Sequence, residues 1–193
     1  MIIRLVKPQD SPELVKIYAP YVEHTAITFE YEVPSAEEFL RRIHNTVEKY
    51  PYLVAEENGE ILGYAYASAF KGRAAYDWSV ETSIYVRENC HRSGIGRTLY
   101  AGLEKCLTAQ HICNVCACIT YPNPDSIAFH ESFGYHTVAH FHKSGYKLGC
   151  WHDMIWMEKE LCPHTVPPMP FVPIAELPAL YDAATKEQAA TER

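Results

Sequence analysis

The chain has 193 residues, a formal net charge of −7 and 48% hydrophobic residues. This length suits one ordinary domain with a sizeable core, and the negative charge argues against nucleic acid or an anionic membrane as a partner. Seven cysteines, an odd number in an ordinary globular composition, indicate a reduced thiol pool rather than a disulfide framework. Met1 leads straight into a strand-like run rather than a signal peptide, and no apolar stretch approaches the roughly 20 residues of a membrane span, so we expect a cytoplasmic protein.

Strand-like and helix-like segments alternate from the N-terminus. Residues Ile2–Val6 are a predicted strand, and Asp10 or Ser11 can cap a following helix. Pro20 is expected to kink or end that helix, since proline lacks the N–H that a helix interior needs. The next segment, Thr25–Tyr31, is prone to β structure.

The middle of the chain carries clear turn and capping signals. A capping box, Ser35-Ala36-Glu37-Glu38, predicts a helix reaching Val47, and the dipeptide Asn58-Gly59 predicts a hairpin turn. Strands outnumber helices, and hairpins are mixed with crossovers, so the sequence predicts an α/β fold, a mixed sheet flanked by helices. The other predicted elements are strands 52–56 and 60–70, loop 71–78, strand 80–86, a helix to about Ala109, strand 112–120, helix 123–133 ending at Gly134, and strands 136–142 and 151–159.

The composition changes at Cys162, after which closely spaced prolines preclude continuous helix or sheet. We therefore predict one domain over residues 1–161 and an extended proline-rich arm over residues 162–193, disordered over its last dozen residues. Some side chains of the arm would be costly to expose, so we expect them to pack on the domain or on a partner subunit. They are Phe171, Val172, Ile174 and Leu177.

The stretch from Glu81 to Gly102 holds a strand, a glycine turn and a helix start. The run Thr82–Val86 predicts the strand, and apolar residues four apart after Gly94 predict the helix. At a helix start, unpaired N–H groups and the helix dipole favour an anion such as phosphate. A Gly-x-Gly alone also fits an ordinary turn, so both interpretations stay open on this motif.

The turn His91-Arg92-Ser93-Gly94-Ile95-Gly96 resembles the Gln/Arg-x-x-Gly-x-Gly/Ala signature of the Gcn5-related N-acetyltransferase superfamily, with His91 replacing Gln or Arg. Residues Asn123 to Tyr135 resemble that superfamily's second signature, Asn-x-x-Ala/Ser-x-x-x-Tyr-Glu-x-x-Gly-Phe/Tyr. The resemblance implies the acyl-CoA N-acyltransferase fold, acetyl-CoA as co-substrate with its pyrophosphate on the turn, and its thioester in a gap beside the central strand. The cofactor-binding residues that it implies are Ile84, Tyr85, Val86, His91, Arg92, Ser93, Gly94, Ile95, Gly96, Arg97, Asn123 and Ser126.

A closer resemblance covers Ile2 to about Leu177. Three of the stretches that carry it are Ala75 to Glu81, His130-Glu131 and Gly145 to Asp153, which look like the phosphinothricin and methionine-sulfone N-acetyltransferase family. This resemblance implies an enzyme that moves the acetyl group of acetyl-CoA to the α-amine of a small amino acid or analogue. It also implies a homodimer.

Amine acetylation needs a base for the ammonium proton, donors for the tetrahedral oxyanion and a proton for the leaving thiolate. Glu81 resembles the family's general base, and partial burial among aromatic residues would raise its pKa; without the resemblance it also fits a solvent-facing acid. His130 takes the position where relatives have a tyrosine that donates to the thiolate, and its role as acid, base or packed helix residue stays open. We expect the oxyanion donor to be a backbone N–H near Tyr85 or Val86.

Substrate binding is expected on the loop before Glu81. Lys71, Arg73 and Tyr76 supply two cations and a phenol that could bind the acidic groups of an amino acid. Phe29 and Glu30 are secondary candidates, because the family forms one wall of its pocket from this region. Two alternatives stay open: a non-catalytic acyl-CoA-binding sensor, and an acetyltransferase acting on a peptide or polyamine.

Two further patterns are interpreted as structural. Cys113, Cys116 and Cys118 lie in a predicted strand without a second pair of metal ligands, so we expect core packing and no metal. His152-Asp153 suggests a catalytic dyad, but neighbours on a strand point to opposite faces, so a structural or dimer contact is preferred.

Overall fold

A seven-stranded sheet is the framework of the protein. The structure, a computed structural model, describes residues 1–177, so the predicted disorder of the last dozen residues lies outside the described residues. The predicted α/β fold, a mixed sheet flanked by helices, is confirmed. The strands are β1 (Ile2–Leu5), β2 (Tyr52–Glu57), β3 (Glu60–Ala69), β4 (Ser79–Val86), β5 (Asn114–Tyr121), β6 (His136–Lys147) and β7 (Cys150–Glu160). The helices are α1 (Ser11–His24), α2 (Ala36–Val47), α3 (Ile95–Ala109) and α4 (Pro124–Ser132).

The strand order is β1-β2-β3-β4-β5-β7-β6. Only β4 and β5 pair in parallel among the described strands, and α3 makes the crossover that a parallel pair requires. The predicted hairpin turn joins β2 to β3, and its residues Asn58 and Gly59 have φ values of 52° and 83°. These left-handed values are what a two-residue hairpin turn needs.

The core lies on both faces of this sheet. Leu53 and Val54 are neighbours on β2, and both are fully buried, but they belong to different clusters of side chains. Because successive strand residues point to opposite faces, one cluster lies on the α3 face with Leu103 and the other on the α1 and α2 face with Leu14. The helices thus hold the two central strands, β3 and β4, from both sides.

Pro20 was predicted to kink or end the first helix, and the second alternative is wrong, since α1 continues to His24. Pro20 removes one backbone hydrogen bond, but buried side chains lie on both sides of it, Tyr18 before and Val22 after. Their burial in the core holds the last turn of the helix in place.

The β structure predicted for Thr25–Tyr31 is also wrong, since no residue of this segment belongs to a strand. Side chains satisfy its backbone instead: Thr120 Oγ1 donates to Ala26 O at 2.5 Å, and Lys147 Nζ donates to Thr28 O at 2.7 Å. The segment therefore crosses the end of β5 without regular secondary structure and does not extend the sheet.

The described part of the arm packs on the domain of its own chain. Ile174 is 5% exposed, and Phe171 lies against Tyr50 with ring centroids 5.7 Å apart. The buried side chain of Gln110 donates to Val172 O at 2.9 Å. The division of the chain at Cys162 stays a prediction. Within residues 1–177, no helix has both the length and the apolar character needed to span a membrane.

Candidate active site

The parallel strands β4 and β5 separate partway along their length. They pair over residues 79–81 and 114–116 and, in the described structure, not beyond. We call the resulting opening the β4–β5 gap. Its walls come from both strands, from α4 and from the segment before α2, through Ile27, Thr82, Ser83, Ile84, Tyr85, Ala117, Cys118, Ile119, Thr120, Asn123, Ser126 and His130. Because each strand presents unpaired backbone groups there, an extended ligand can hydrogen-bond in the gap as an added strand would.

The hydrogen-bond pattern of β4 decides which N–H groups face the gap. Arg87 N donates to Leu62 O at 2.8 Å, so Arg87 and every second residue before it bond to β3. The N–H of Tyr85 therefore faces β3 and is excluded as an oxyanion donor, whereas those of Ile84 and Val86 face the gap. Val86 N also lies 3.4 Å from the hydroxyl oxygen of Tyr21.

A tight turn connects β4 to α3. Gly94 has φ 87° and directly precedes Ile95, the first helical residue. The N–H groups of residues 94–97 have no acceptor within the helix, because the first turn of any helix leaves four donors free. Ser93 Oγ donates to Cys90 O at 2.6 Å, which closes the loop on itself. The predicted anion site is thus a row of backbone donors at the positive end of the α3 dipole.

His91 lies in this turn, but its side chain contacts the end of β4. Its Nε2 lies 2.9 Å from the Tyr21 hydroxyl and 3.1 Å from Val86 O, and the Tyr21 hydroxyl donates to Val86 O at 2.5 Å. His91 N also lies 3.4 Å from Glu88 O. The residue therefore holds the turn against α1 and β4.

Helix α4 begins where the second motif predicts. Asn123 Oδ1 accepts from Ser126 N at 3.2 Å, which leaves the Asn123 amide nitrogen as a donor. His130 is 4% exposed, and its Nδ1 donates to Ser126 O at 2.8 Å. Burial lowers the pKa of His130. At neutral pH the ring is therefore uncharged, with its proton on Nδ1 and a lone pair on Nε2.

Glu81 is the last β4 residue paired with β5, at the point where the gap opens. Its carboxylate has no hydrogen-bond partner within residues 1–177, and burial raises its pKa, while the nearby Lys71 cation lowers it. Lys71 Nζ lies 5.1 Å from the ring centroid of Phe70 and 5.9 Å from that of Trp156. A half-buried, unpaired carboxylate of this kind can accept a proton near neutral pH.

The predicted substrate residues differ in how far the structure supports them. Arg73 is exposed, with no ion pair to any described residue, and Tyr76 is 39% exposed beside Phe70. Phe29 packs so closely on Gly145 that a Cβ there would clash with its ring. The Glu30 carboxylate is engaged, since Oε1 accepts from Arg42 Nη1 at 2.6 Å.

Sequence reasoning missed some residues that shape this site. Lys147 is 3% exposed and anchors the wall at Thr28, although the two residues are far apart in the chain. Cys118, predicted to pack in the core, is exposed, because it lies on the part of β5 that has separated from β4. Cys113 and Cys116 are buried as predicted. Neither Lys147 nor Tyr21 carries a local pattern that could have identified it.

The chain is similar to known acetyltransferases over nearly its whole length. Residues 3–156 match the family described as an acetyltransferase (GNAT) domain. The chain is 36% identical over 176 residues to a phosphinothricin N-acetyltransferase of Streptomyces viridochromogenes, covering 91% of this chain and 95% of that protein. It is 31% identical over 170 residues to an L-methionine sulfoximine/L-methionine sulfone acetyltransferase of Salmonella typhimurium, covering 86% of this chain and 98% of that protein.

A solved structure shares the fold. It is a GNAT superfamily phosphinothricin acetyltransferase from Sinorhizobium meliloti in complex with AcCoA, 33% identical, with a TM-score of 0.82 over 87% of this chain and 91% of that one. Both sequence signatures, the separated strands and these matches agree. The chain therefore belongs to the GNAT acetyltransferase family.

Proposed function

We propose that this protein transfers the acetyl group of acetyl-CoA to the α-amine of a small amino acid or analogue of the phosphinothricin or methionine sulfone type. The observation that carries the proposal is the Glu81 carboxylate, which is half-buried, has a raised pKa and lies where the β4–β5 gap opens. Relatives named for acetylation of phosphinothricin and methionine sulfoximine support the substrate class.

Acetyl-CoA fits the gap and the turn as substrate. Its pyrophosphate would bind the free N–H groups of residues 94–97, with Arg92 and Ser93 beside them. The pantetheine arm would lie along Ile84, Tyr85 and Val86. The strand edge is open at Ile84, while the Tyr21 hydroxyl contacts the backbone of Val86. Asn123 and Ser126 would contact it from α4. We assign His91 to support of the turn, since its side chain is engaged with Tyr21 and Val86.

In the reaction, the amine nitrogen attacks the thioester carbonyl carbon, the C–N bond forms and the C–S bond breaks. Glu81 takes the proton that the ammonium group must lose, directly or through a water. The N–H of Ile84 faces the gap and is the proposed donor to the oxyanion, with the N–H of Val86 as a second. Holding amine and thioester together can supply roughly 7–11 kcal/mol of the barrier reduction.

The geometry disfavours the acid role that was left open for His130. A neutral ring with its Nδ1 proton engaged by Ser126 O has only a lone pair to offer at Nε2. We propose that His130 accepts a hydrogen bond in the gap at neutral pH and does not protonate the thiolate. The thiolate then takes its proton from solvent or from the proton released by the amine.

Substrate recognition is assigned to the open face beside Glu81. Lys71 and Arg73 would bind acidic groups of the amino acid, and Tyr76 and Phe29 would form walls. Glu30 is engaged with Arg42, so we assign it to holding the Phe29 wall rather than to direct contact with the substrate.

Replacing Glu81 tests the proposed base. We expect Glu81→Gln to lower kcat about 100-fold or more, the usual contribution of a general base, while acetyl-CoA binds with unchanged affinity. The measurements are thiol release from acetyl-CoA and calorimetric binding of acetyl-CoA. Glu60→Gln, at an exposed hairpin position, is the matched control and should keep full activity. Unchanged turnover in Glu81→Gln would rule out Glu81 as the base.

A CoA-release screen over free amino acids, phosphinothricin, methionine sulfone and methionine sulfoximine tests the substrate class. Peptides and polyamines are the comparison set. Turnover of only peptides or polyamines would contradict the proposal, and tight acetyl-CoA binding without release on any amine would indicate a sensor.

We also propose that the protein is a cytoplasmic homodimer. The seven cysteines form no disulfide within residues 1–177, which suits a reducing compartment. The β6–β7 hairpin exposes a group of large apolar side chains, which would be covered in a dimer. They are Phe141, Tyr146, Leu148 and Trp151, exposed by 48%, 48%, 58% and 61%.

Light scattering tests the dimer. The wild-type protein should have twice the mass of its 22.0 kDa chain, and Trp151→Glu should be monomeric because a charge would be buried in the interface. Val166→Glu, at a 99% exposed position of the arm, should remain dimeric. A wild-type monomer would contradict the proposal.

A further inference from the structure

We propose that His140, His142 and Asp153 form a surface binding site for a divalent transition-metal ion such as Zn²⁺, separate from the β4–β5 gap. The three side chains offer ligand atoms that all lie within 4.8 Å of one another. None of the three lines the gap. The inference does not depend on the proposed acetyl-transfer activity.

Strand register brings these residues together. His140 and His142 are two apart on β6, so their side chains share one face of the sheet. His140 pairs with Ile155 and Phe141 with Met154 across the β6–β7 ladder, which puts Asp153 on that same face. The ladder becomes irregular after Phe141, and Lys143 there has φ 49°. The backbone bend keeps His142 close to Asp153.

The donor set suits a metal of the Zn²⁺ class. His140 Nε2 lies 2.8 Å and His142 Nδ1 lies 3.0 Å from the same atom, Asp153 Oδ2. Two imidazoles and a carboxylate are ligands that Zn²⁺ and its neighbours in the first transition row accept. Metal–ligand bonds of about 2.0–2.2 Å separate ligand atoms by about 3.3 Å in a tetrahedral site, so each of these two nitrogen–oxygen distances has to open by only a few tenths of an ångström.

Surrounding groups hold two of the ligands in position. Lys143 N donates to Asp153 Oδ1 at 2.8 Å, which fixes the carboxylate and directs Oδ2 at the two rings. The Tyr121 ring packs on His140 with centroids 4.8 Å apart. Such outer contacts restrict ligand orientation and raise metal affinity. Solvent can supply the remaining coordination positions, because His142 is 77% exposed in its side chain.

Calorimetric titration of the full-length, chelator-treated protein with Zn²⁺ tests the site. The wild-type protein should bind one ion per chain at this site, and His142→Ala should bind it at least tenfold more weakly. His142→Ala should fold normally, since the side chain is exposed. The matched control is His136→Ala, an exposed histidine of the same strand that lies 3.7 Å from Glu158, and its affinity should equal that of the wild type.

Cobalt spectroscopy separates this site from the cysteines. Co²⁺ bound at His140, His142 and Asp153 should give visible bands without thiolate charge-transfer absorption, and Asp153→Asn should weaken them. Equal Zn²⁺ affinity in His142→Ala and the wild type would overturn the proposal. So would a spectrum showing only thiolate ligation, or no binding at all, which would leave the cluster as a hydrogen-bonded contact.

Discussion

Two opposing influences act on the pKa of the Glu81 carboxylate. Burial at the opening of the gap disfavours its charged form and raises its pKa, while the Lys71 cation favours the charged form and limits that rise. A base must be unprotonated at the working pH and still basic enough to take a proton. The pairing of a half-buried carboxylate with a cation that does not hydrogen-bond to it meets both requirements.

Removing the Lys71 charge should make Glu81 more basic. In Lys71→Met the carboxylate loses its stabilising cation, so its pKa rises and it stays protonated to higher pH. We therefore expect the acid limb of the kcat–pH profile, measured at saturating substrates, to move to higher pH. Lys71→Arg keeps the charge and should leave the limb in place. If the acid limb lies at the same pH in Lys71→Met and the wild type, the Lys71 charge does not influence the pKa of the base.

At the scale of elements, the single strand β4 positions both the proposed reacting groups and the predicted anion site at the start of α3. Its start carries Glu81, its open edge directs the Ile84 N–H into the gap, and its end leads through Gly94 to the donors of α3. The left-handed φ of Gly94 is essential to that last step, since it turns the chain directly into the helix. A side chain in this conformation costs about 1–2 kcal/mol.

We expect Gly94→Ala to raise the KM for acetyl-CoA by about tenfold. Alanine is strained at this left-handed φ, and the backbone shift that relieves the strain would displace the N–H groups at the start of α3. Gly59→Ala is the matched control, since Gly59 has φ 83° and, like Gly94, has no neighbouring atom within 4 Å of the position that a Cβ would take. Both variants should lose similar stability in thermal melts, but Gly59→Ala should keep the wild-type KM. Equal KM values for both variants would mean that the turn geometry does not control cofactor binding.

At the scale of the whole molecule, local patterns predicted most of the elements and both motifs. Asn58-Gly59, Gly94 and Asn123 each impose a backbone conformation within a few residues, so the hairpin and the starts of α3 and α4 could be identified from the sequence. The segment Thr25–Tyr31 could not, because distant side chains, those of Thr120 and Lys147, satisfy its backbone.

The cluster of His140, His142 and Asp153 on the β6–β7 hairpin could not be predicted from the sequence either. His140 and His142 have strand spacing, but which residue of β7 faces them depends on the register and on the irregularity after Phe141. Contacts that depend on register have no signature in the sequence around either partner. The same holds for Tyr21, whose contact with His91 requires α1 to pack beside the end of β4.

The arm after Cys162 links the C-terminal part of the chain to the base of the site. Trp78 Nε1 donates to Met169 O at 2.7 Å, and Trp78 O accepts from Asn114 N at 3.0 Å, just where β4 and β5 begin to pair. Ile174 is buried further along, and its N donates to Lys49 O at 3.0 Å. The described part of the arm thus covers the end of the sheet where its parallel strands are still joined.

If the arm belongs to the cooperative fold, Ile174→Ala should lower the free energy of unfolding by about 2 kcal/mol, the lower end of the range for truncating a buried isoleucine. Urea unfolding at fixed protein concentration measures it. Val166→Ala is the control within the same arm: Val166 is 99% exposed, so the change should stay within about 0.5 kcal/mol. Equal midpoints for the two variants would mean that the arm detaches before the domain unfolds. In that case Trp78 and the paired ends of β4 and β5 would not depend on the arm for their stability.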